Sequence, residues 1–201
     1  MTIESIISYI FFLFLTMKKL THSEILRERL NAEEAIATMR HPIYVMLSNI
    51  RSLYNVGSIF RTCDSALVAE LILCGFTPHP PRDEIAKTAL GAVDSVPWKY
   101  FKSEVEAIVY LKDMGVKVIA LEITDKKRQY TSLQKEEYPL CIVLGNELTG
   151  LDSEVLELCD DAIEIPMFGV KHSLNVAIAA GIAIFNAVDI YRNKNERNIE
   201  Q

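Results

Sequence analysis

The sequence predicts an α/β domain, a parallel sheet flanked by helices, and three observations carry that expectation. Short apolar runs rich in branched residues alternate along the chain with longer helix-like stretches. The runs are apolar at consecutive positions, as in strands covered on both faces. At 201 residues and 50% hydrophobic the chain can bury one sizeable core, and no repeat, low-complexity stretch or Pro/Gly/Ser linker divides it.

The elements follow in order. Residues 5–16 (SIISYIFFLFLT) are strongly apolar but fall short of the roughly 20 residues that span a bilayer. Glu4 precedes this run and Lys18 and Lys19 follow it, the reverse of a secretory signal. Two readings of residues 1–16 stand: an upstream extension with Met17 as the working start, or a hydrophobic arm that packs or touches membrane. Within residues 17–41 a leading amphipathic helix is expected over 23–39, with Ile25, Leu26, Leu30 and Ile36 near one stripe. The main domain covers 42–191. Its expected strands are 43–47, 71–74, 116–123, 140–144 and 162–165, and its expected helices are 56–66, 103–114, 153–158 and 173–191. Within the last, the run 176–188 (VAIAAGIAIFNAV) suits a helix packed on the sheet or on a twin subunit. The polar tail 192–201 reads as frayed.

Composition excludes some classes. Lys and Arg total 21 against 27 Asp and Glu, a formal charge of -6, so any nucleic acid must be held by local contacts and not by a bulk positive field. Residues 18–61 hold seven basic and four acidic side chains, whereas 147–164 hold seven acidic and none basic, which makes the first stretch the candidate polyanion face. Ordinary solvated helix surfaces explain such runs as well. Cys63, Cys74, Cys141 and Cys159 show neither a CxxC pair nor zinc-ligand clustering, and read as reduced, core-filling thiols of a cytoplasmic protein that needs no metal.

Ligands of open parallel sheets bind beyond the carboxyl ends of the strands. Three strand-end turns carry polar groups: 49–61, with Asn55 and Arg61 six positions apart; 144–151, with Gly145, Asn146, Glu147 and Gly150; and 165–176, with Ile165, Met167, Lys171, His172, Ser173, Leu174 and Asn175. Neither glycine turn matches GxGxxG or GxxxxGK[ST], which argues against a dehydrogenase or a P-loop kinase. Gly145 and Gly150 instead allow close backbone approach to a flat heteroaromatic ligand, although plain turn geometry also explains each glycine.

In order and spacing these segments resemble the three motifs of the SpoU family of RNA ribose methyltransferases, within the wider class of knotted methyltransferases. Asn55 with Arg61 is similar to the first motif, Leu144 through Leu151 to the second, and Ile165 through Val176 to the third. The resemblance implies an α/β fold with a C-terminal trefoil knot, S-adenosylmethionine in that knot, an RNA substrate (tRNA or rRNA) and a homodimer with its site at the interface. It implies Arg61 as the catalytic residue, joined by Asn55, Glu147, Ser173 and Asn175. Cofactor contacts are expected from Leu121, Glu122, Gly145, Asn146, Ile165, Met167 and Leu174, and RNA contacts from Arg27, Arg29, Arg40, Arg51 and Lys171. Plainer roles stand beside these: Asn55 and Ser173 as helix caps, Arg61 paired with Asp64, Glu147 as a solvated turn carboxylate. His172 is not assigned a base role, since the family has no catalytic histidine there. A catalytically silent RNA-binding module and a base-nitrogen methyltransferase are the rival functions; a membrane-attached interaction protein would rest on residues 1–16 alone.

Overall fold

The computed structural model describes residues 17–196, so the apolar segment 1–16 and its two readings lie outside the described residues, as do 197–201. Two short helices, α1 (His22–Arg27) and α2 (Ala32–Ala37), lead into β1 (His41–Ser48), α3 (Leu53–Ser65), β2 (Val68–Cys74), α4 (Asp83–Ala89), α5 (Ala92–Ser95), β3 (Trp98–Phe101) and α6 (Glu104–Asp113). The chain continues through β4 (Lys117–Leu121), β5 (Leu140–Leu144), α7 (Ser153–Leu158), β6 (Asp161–Ile163) and α8 (Val176–Glu196). The strands form one sheet in the order β3-β2-β1-β5-β4-β6 with every pairing parallel.

Pleating divides the strand residues between two apolar layers. Val45 and Leu47 of β1, Leu71 and Leu73 of β2 and Ile142 of β5 pack beneath α3, α4 and α8, around the fully buried Phe60. Met46, Ile72, Cys141 and Val143 point the other way, onto Ile108 and Leu111 of α6. Burial raises the pKa of all four cysteines, that of Cys159 to about 11, so these thiols fill core and stay protonated.

Three expectations need correction. The leading helix is two helices, because Asn31 starts a capping box of its own: its side chain accepts from the Glu34 N–H at 2.9 Å and Glu34 accepts the Asn31 N–H at 2.9 Å. An N-cap with extended backbone cannot lie inside a continuous helix. The start of the polar tail is not frayed, since α8 runs on to Glu196. Three elements between residues 83 and 101 went unforeseen: α4, α5 and the edge strand β3, whose Lys99 and Tyr100 are exposed.

The connection from β4 to β5 is anchored by charge and binds α8. Arg128 donates to Glu137 at 2.6 Å and to Asp161 at 2.6 Å, while Lys117 reaches Glu137 at 2.6 Å. The Tyr138 hydroxyl donates to the Ala187 carbonyl at 2.6 Å and Asn186 to the Tyr130 carbonyl at 2.8 Å. Burial works to raise the Glu137 pKa, but hydrogen bonds from Arg128, Lys117 and the Gln134 N–H outweigh it and hold the carboxyl at about 2. A carboxyl depressed on folding stabilises fully above its ordinary pKa of 4.5 and loses that contribution as pH falls toward about 2. Glu137→Gln is therefore expected to lower the melting temperature at pH 7 and to flatten its decline between pH 4.5 and 2; an unchanged acid profile by circular dichroism would refute this anchor.

Candidate active site

Helix α3 begins at Ser52, whose side chain accepts from the Asn55 N–H at 3.3 Å, so Ser52 and not Asn55 is the cap. The Asn55 side chain is thereby left to bridge. Its Nδ2 donates to Glu147 Oε1 at 2.9 Å, and its Oδ1 accepts from Asn175 Nδ2 at 3.1 Å. Glu147 also accepts the N–H groups of Arg51 at 2.9 Å and Ser52 at 3.1 Å. Asn175 Oδ1 accepts from the N–H of Ala177 at 2.9 Å and of Ile178 at 3.4 Å, which makes Asn175 the cap of α8. Ser173, an expected cap, has no hydrogen-bond partner among the described residues and faces the cleft described next. One line of hydrogen bonds, Glu147 to Asn55 to Asn175, thus ties together the turns after β1, β5 and β6. Burial works to raise the Glu147 pKa, yet the bonds from Arg51, Asn55 and Ser52 outweigh it and keep the group below the usual glutamate value. Glu147 is anionic at neutral pH and committed to its own chain.

Beside this line lies a cleft of about 270 Å³. All seven residues expected at a cofactor line it: Leu121 and Glu122 after β4, Gly145 and Asn146 after β5, and Ile165, Met167 and Leu174 along the segment leading to α8. Close packing shapes its wall. A Cβ on Gly145 would lie 2.4 Å from the Gly150 carbonyl carbon, and one on Gly150, where φ is +71°, would lie 2.4 Å from Glu122 Oε2. Asn146 and Gly150 exchange backbone hydrogen bonds of 3.0 and 2.9 Å, and Glu122 Oε2 accepts the Leu151 N–H at 3.0 Å. Asn146 braces the turn from its other side, donating to the Asn49 carbonyl at 2.7 Å.

The cleft suits a ligand with a flat apolar part and a cationic part. Leu121, Ile165, Met167 and Leu174 offer apolar surface, while Glu122 and Glu164 bring carboxylates. The main-chain polar groups of Ile165, Met167 and Leu174 have no partner among the described residues, so they are available to the edge of a heteroaromatic ring. Sequence reasoning missed Glu164, Thr149 and Ile123 as lining residues. Glu164 was obscured by the acidic run around it. His172 reaches the rim as well.

Arg61 is not brought to this cleft. Six residues beyond Asn55 it lies about 120° around α3, exposed, and lines a separate groove with Ser58, Thr62 and Phe185. It does not pair with Asp64, which accepts from Ser95 Oγ at 2.5 Å. Of the expected RNA contacts, Arg27, Arg29, Arg51 and Lys171 are exposed. Arg40 is turned inward, donating to the carbonyls of Val68 at 3.2 Å, Ala35 at 3.1 Å and Ser95 at 2.5 Å, so its guanidinium serves the fold.

The cleft generates a direct test. Gly145→Ala is expected to weaken S-adenosylmethionine binding by at least about tenfold in calorimetry, because a clash with backbone cannot be relieved by a rotamer change. Unchanged affinity would mean that the turn does not form the binding wall.

Comparison with known proteins agrees with this geometry. The model of the SpoU rRNA Methylase family matches residues 42–185. The chain is 32% identical over 170 residues to the tRNA (guanosine(18)-2'-O)-methyltransferase of Thermus thermophilus, covering 81% of this chain and 84% of the relative. It is 29% identical over 154 residues to the Escherichia coli enzyme of that name, covering 77% of this chain but only 66% of the relative. Among solved structures, the A. aeolicus TrmH/SpoU tRNA modifying enzyme superposes with a TM-score of 0.72 at 25% identity, covering 80% of this chain and 81% of that one. The AdoMet-bound rRNA methyltransferase from Sinorhizobium meliloti gives 0.68 at 30% identity, over 74% of this chain and 56% of that one. With a parallel sheet, three motif turns tied into one cleft and a family model spanning most of its length, this chain belongs to the SpoU rRNA methylase family.

Proposed function

We propose that the chain transfers the methyl group of S-adenosylmethionine to a ribose 2'-hydroxyl of structured RNA, tRNA or rRNA. The observation that carries this reading is the Glu147–Asn55–Asn175 line, which joins the three motif turns beside one cleft of matching chemistry. The names of the relatives support it, being those of tRNA and rRNA 2'-O-methyltransferases. When bound, S-adenosylmethionine supplies an electrophilic methyl group on a sulfonium. The chain holds that donor through the apolar walls and the open main-chain groups of 165–174. Glu122 and Glu164 would offer carboxylates to its cationic groups.

A 2'-hydroxyl is a poor nucleophile while protonated, so the chain must hold the oxygen in line and favour loss of its proton. Arg61 is the proposed catalytic residue. A guanidinium carries five donors and no acceptor, which assigns Arg61 to stabilising negative charge on the oxygen while the proton passes to a phosphate or to water. Arg61 faces away from its own cleft, so the reading requires a homodimer in which it serves the partner's cleft. Exposed and half-exposed apolar side chains on α8, Ile178 and Ile182 beside Gly181, support that arrangement. A trefoil knot in the C-terminal segment is part of the proposal, and the bonds from Tyr138 and Asn186 joining the 122–139 connection to α8 support it. Residues 42–191 are taken as the methyltransferase domain and the cytoplasm as its site of action; among the described residues no helix is long and apolar enough to cross a membrane.

The test incubates the purified chain with methyl-labelled S-adenosylmethionine and total RNA, followed by nuclease digestion and mass spectrometry. A labelled 2'-O-methylnucleoside is expected. Label on a base nitrogen, or none despite bound donor, would overturn the reading. Arg61→Ala is expected to lower kcat by roughly 10²–10³-fold while donor affinity stays within about twofold; near-normal turnover would reject its assigned role.

A further inference from the structure

Resting on that reading, and extending it to how RNA is gripped, we propose that Lys87 acts with Arg61 to bind a backbone phosphate of the RNA substrate. Both side chains line the groove on the side of α3 away from the donor cleft, with Leu90 and Phe185 as its apolar walls. Lys87 is set there by the contact of α3 with α4. A Cβ on Gly57 would lie 1.9 Å from Thr88 Oγ1 and 2.6 Å from the Ile85 carbonyl oxygen, so the helices meet with no side chain between them at this point. Lys87 immediately precedes Thr88, and Arg61 lies one turn beyond Gly57.

Neither cation is neutralised among the described residues. Neither Lys87 nor Arg61 forms an ion pair, and Asp64 is engaged by Ser95. The groove hydroxyls do not compete for an anion, because each donates to its own helix: Ser58 to the Tyr54 carbonyl at 2.8 Å, Thr62 to Ser58 at 3.1 Å and Ser65 to Arg61 at 2.9 Å. Lys87 and Arg61 therefore supply the charged donors of this groove. Two cations without an ion pair, on a chain of formal net charge -6, fit a phosphodiester, and a carbon-rich wall on either side fits the adjoining sugar. A phosphate held beside Arg61 would also bring the 2'-hydroxyl of its nucleotide to that guanidinium, which makes Lys87 a positioning residue for the proposed reaction.

The test measures binding of bulk tRNA by filter retention across a potassium chloride series for the unaltered chain, Lys87→Ala and Lys87→Arg. Lys87→Ala is expected to weaken RNA binding about 5- to 10-fold and to reduce the slope of log affinity against log salt by about 1, while Lys87→Arg restores both. Donor affinity and melting temperature are expected to stay unchanged, which separates lost contact from lost fold. Unaltered RNA affinity and slope in Lys87→Ala would overturn the proposal even if ribose methylation is confirmed. A shift in oligomeric state with RNA affinity intact would overturn it too, and would assign the groove to a protein partner. If Lys87→Ala shows the expected losses while no ribose is labelled, the groove stands and the reading of the reaction fails.

Discussion

The Glu147 carboxylate is the constraint on which the site depends. Its two oxygens accept from Arg51, Ser52 and Asn55, so one side chain after β5 satisfies the two N–H groups that lead into α3 and fixes the amide that reaches α8. A charge-assisted bond to a backbone N–H is stronger than a neutral one, and removing its acceptor leaves the part-buried donors of Ser52 and Asn55 unpaired. Without Glu147 the turns after β1 and β5 would keep the Asn146–Asn49 bond, but the Asn55 amide that reaches Asn175 would lose the acceptor that orients it. The cleft beside them exists because Gly145, Gly150 and Glu122 let neighbouring backbones close to contact.

Helix α3 joins two surfaces of different character. Its first turn, through Asn55, belongs to the donor cleft. Arg61, rotated away, belongs to a cationic groove shared with α4. In the proposed reaction the donor cleft and the cationic groove lie apart on one chain, so a second copy must bring a guanidinium to the cleft. The same division suits an acidic protein to the proposed polyanionic substrate. Glu122, Glu147 and Glu164 line the cleft, and Arg61 and Lys87 lie in the separate groove.

Much of this was legible in the sequence, for identifiable reasons. Strands buried on both faces announce themselves as unbroken branched-residue runs, so β1, β2, β4, β5 and β6 were each located within a few residues. β3 was not, because an edge strand with exposed Lys99 and Tyr100 carries no such run. All seven expected cofactor residues line the cleft, since strand-end turns converge wherever a parallel sheet is built. The direction of individual side chains could not be read in this way. Arg40 has the composition of a surface cation but lies over three carbonyls, and the bond from Asn55 to Glu147 spans 92 positions that no local pattern connects. Of the two roles open to Asn55 and Ser173, capping falls instead to their neighbours Ser52 and Asn175, because which side chain reaches a free N–H depends on backbone geometry that composition does not carry.

A double-mutant cycle on S-adenosylmethionine affinity, using Glu147→Gln, Asn175→Ala and the combined variant, tests most directly whether the three turns act as one unit. If Asn55 transmits between them, the combined variant binds the donor about as weakly as the worse single variant, a coupling of at least about 0.5 kcal/mol. Losses that simply add would show that the turns contribute independently, and would contradict the shared-carboxylate account.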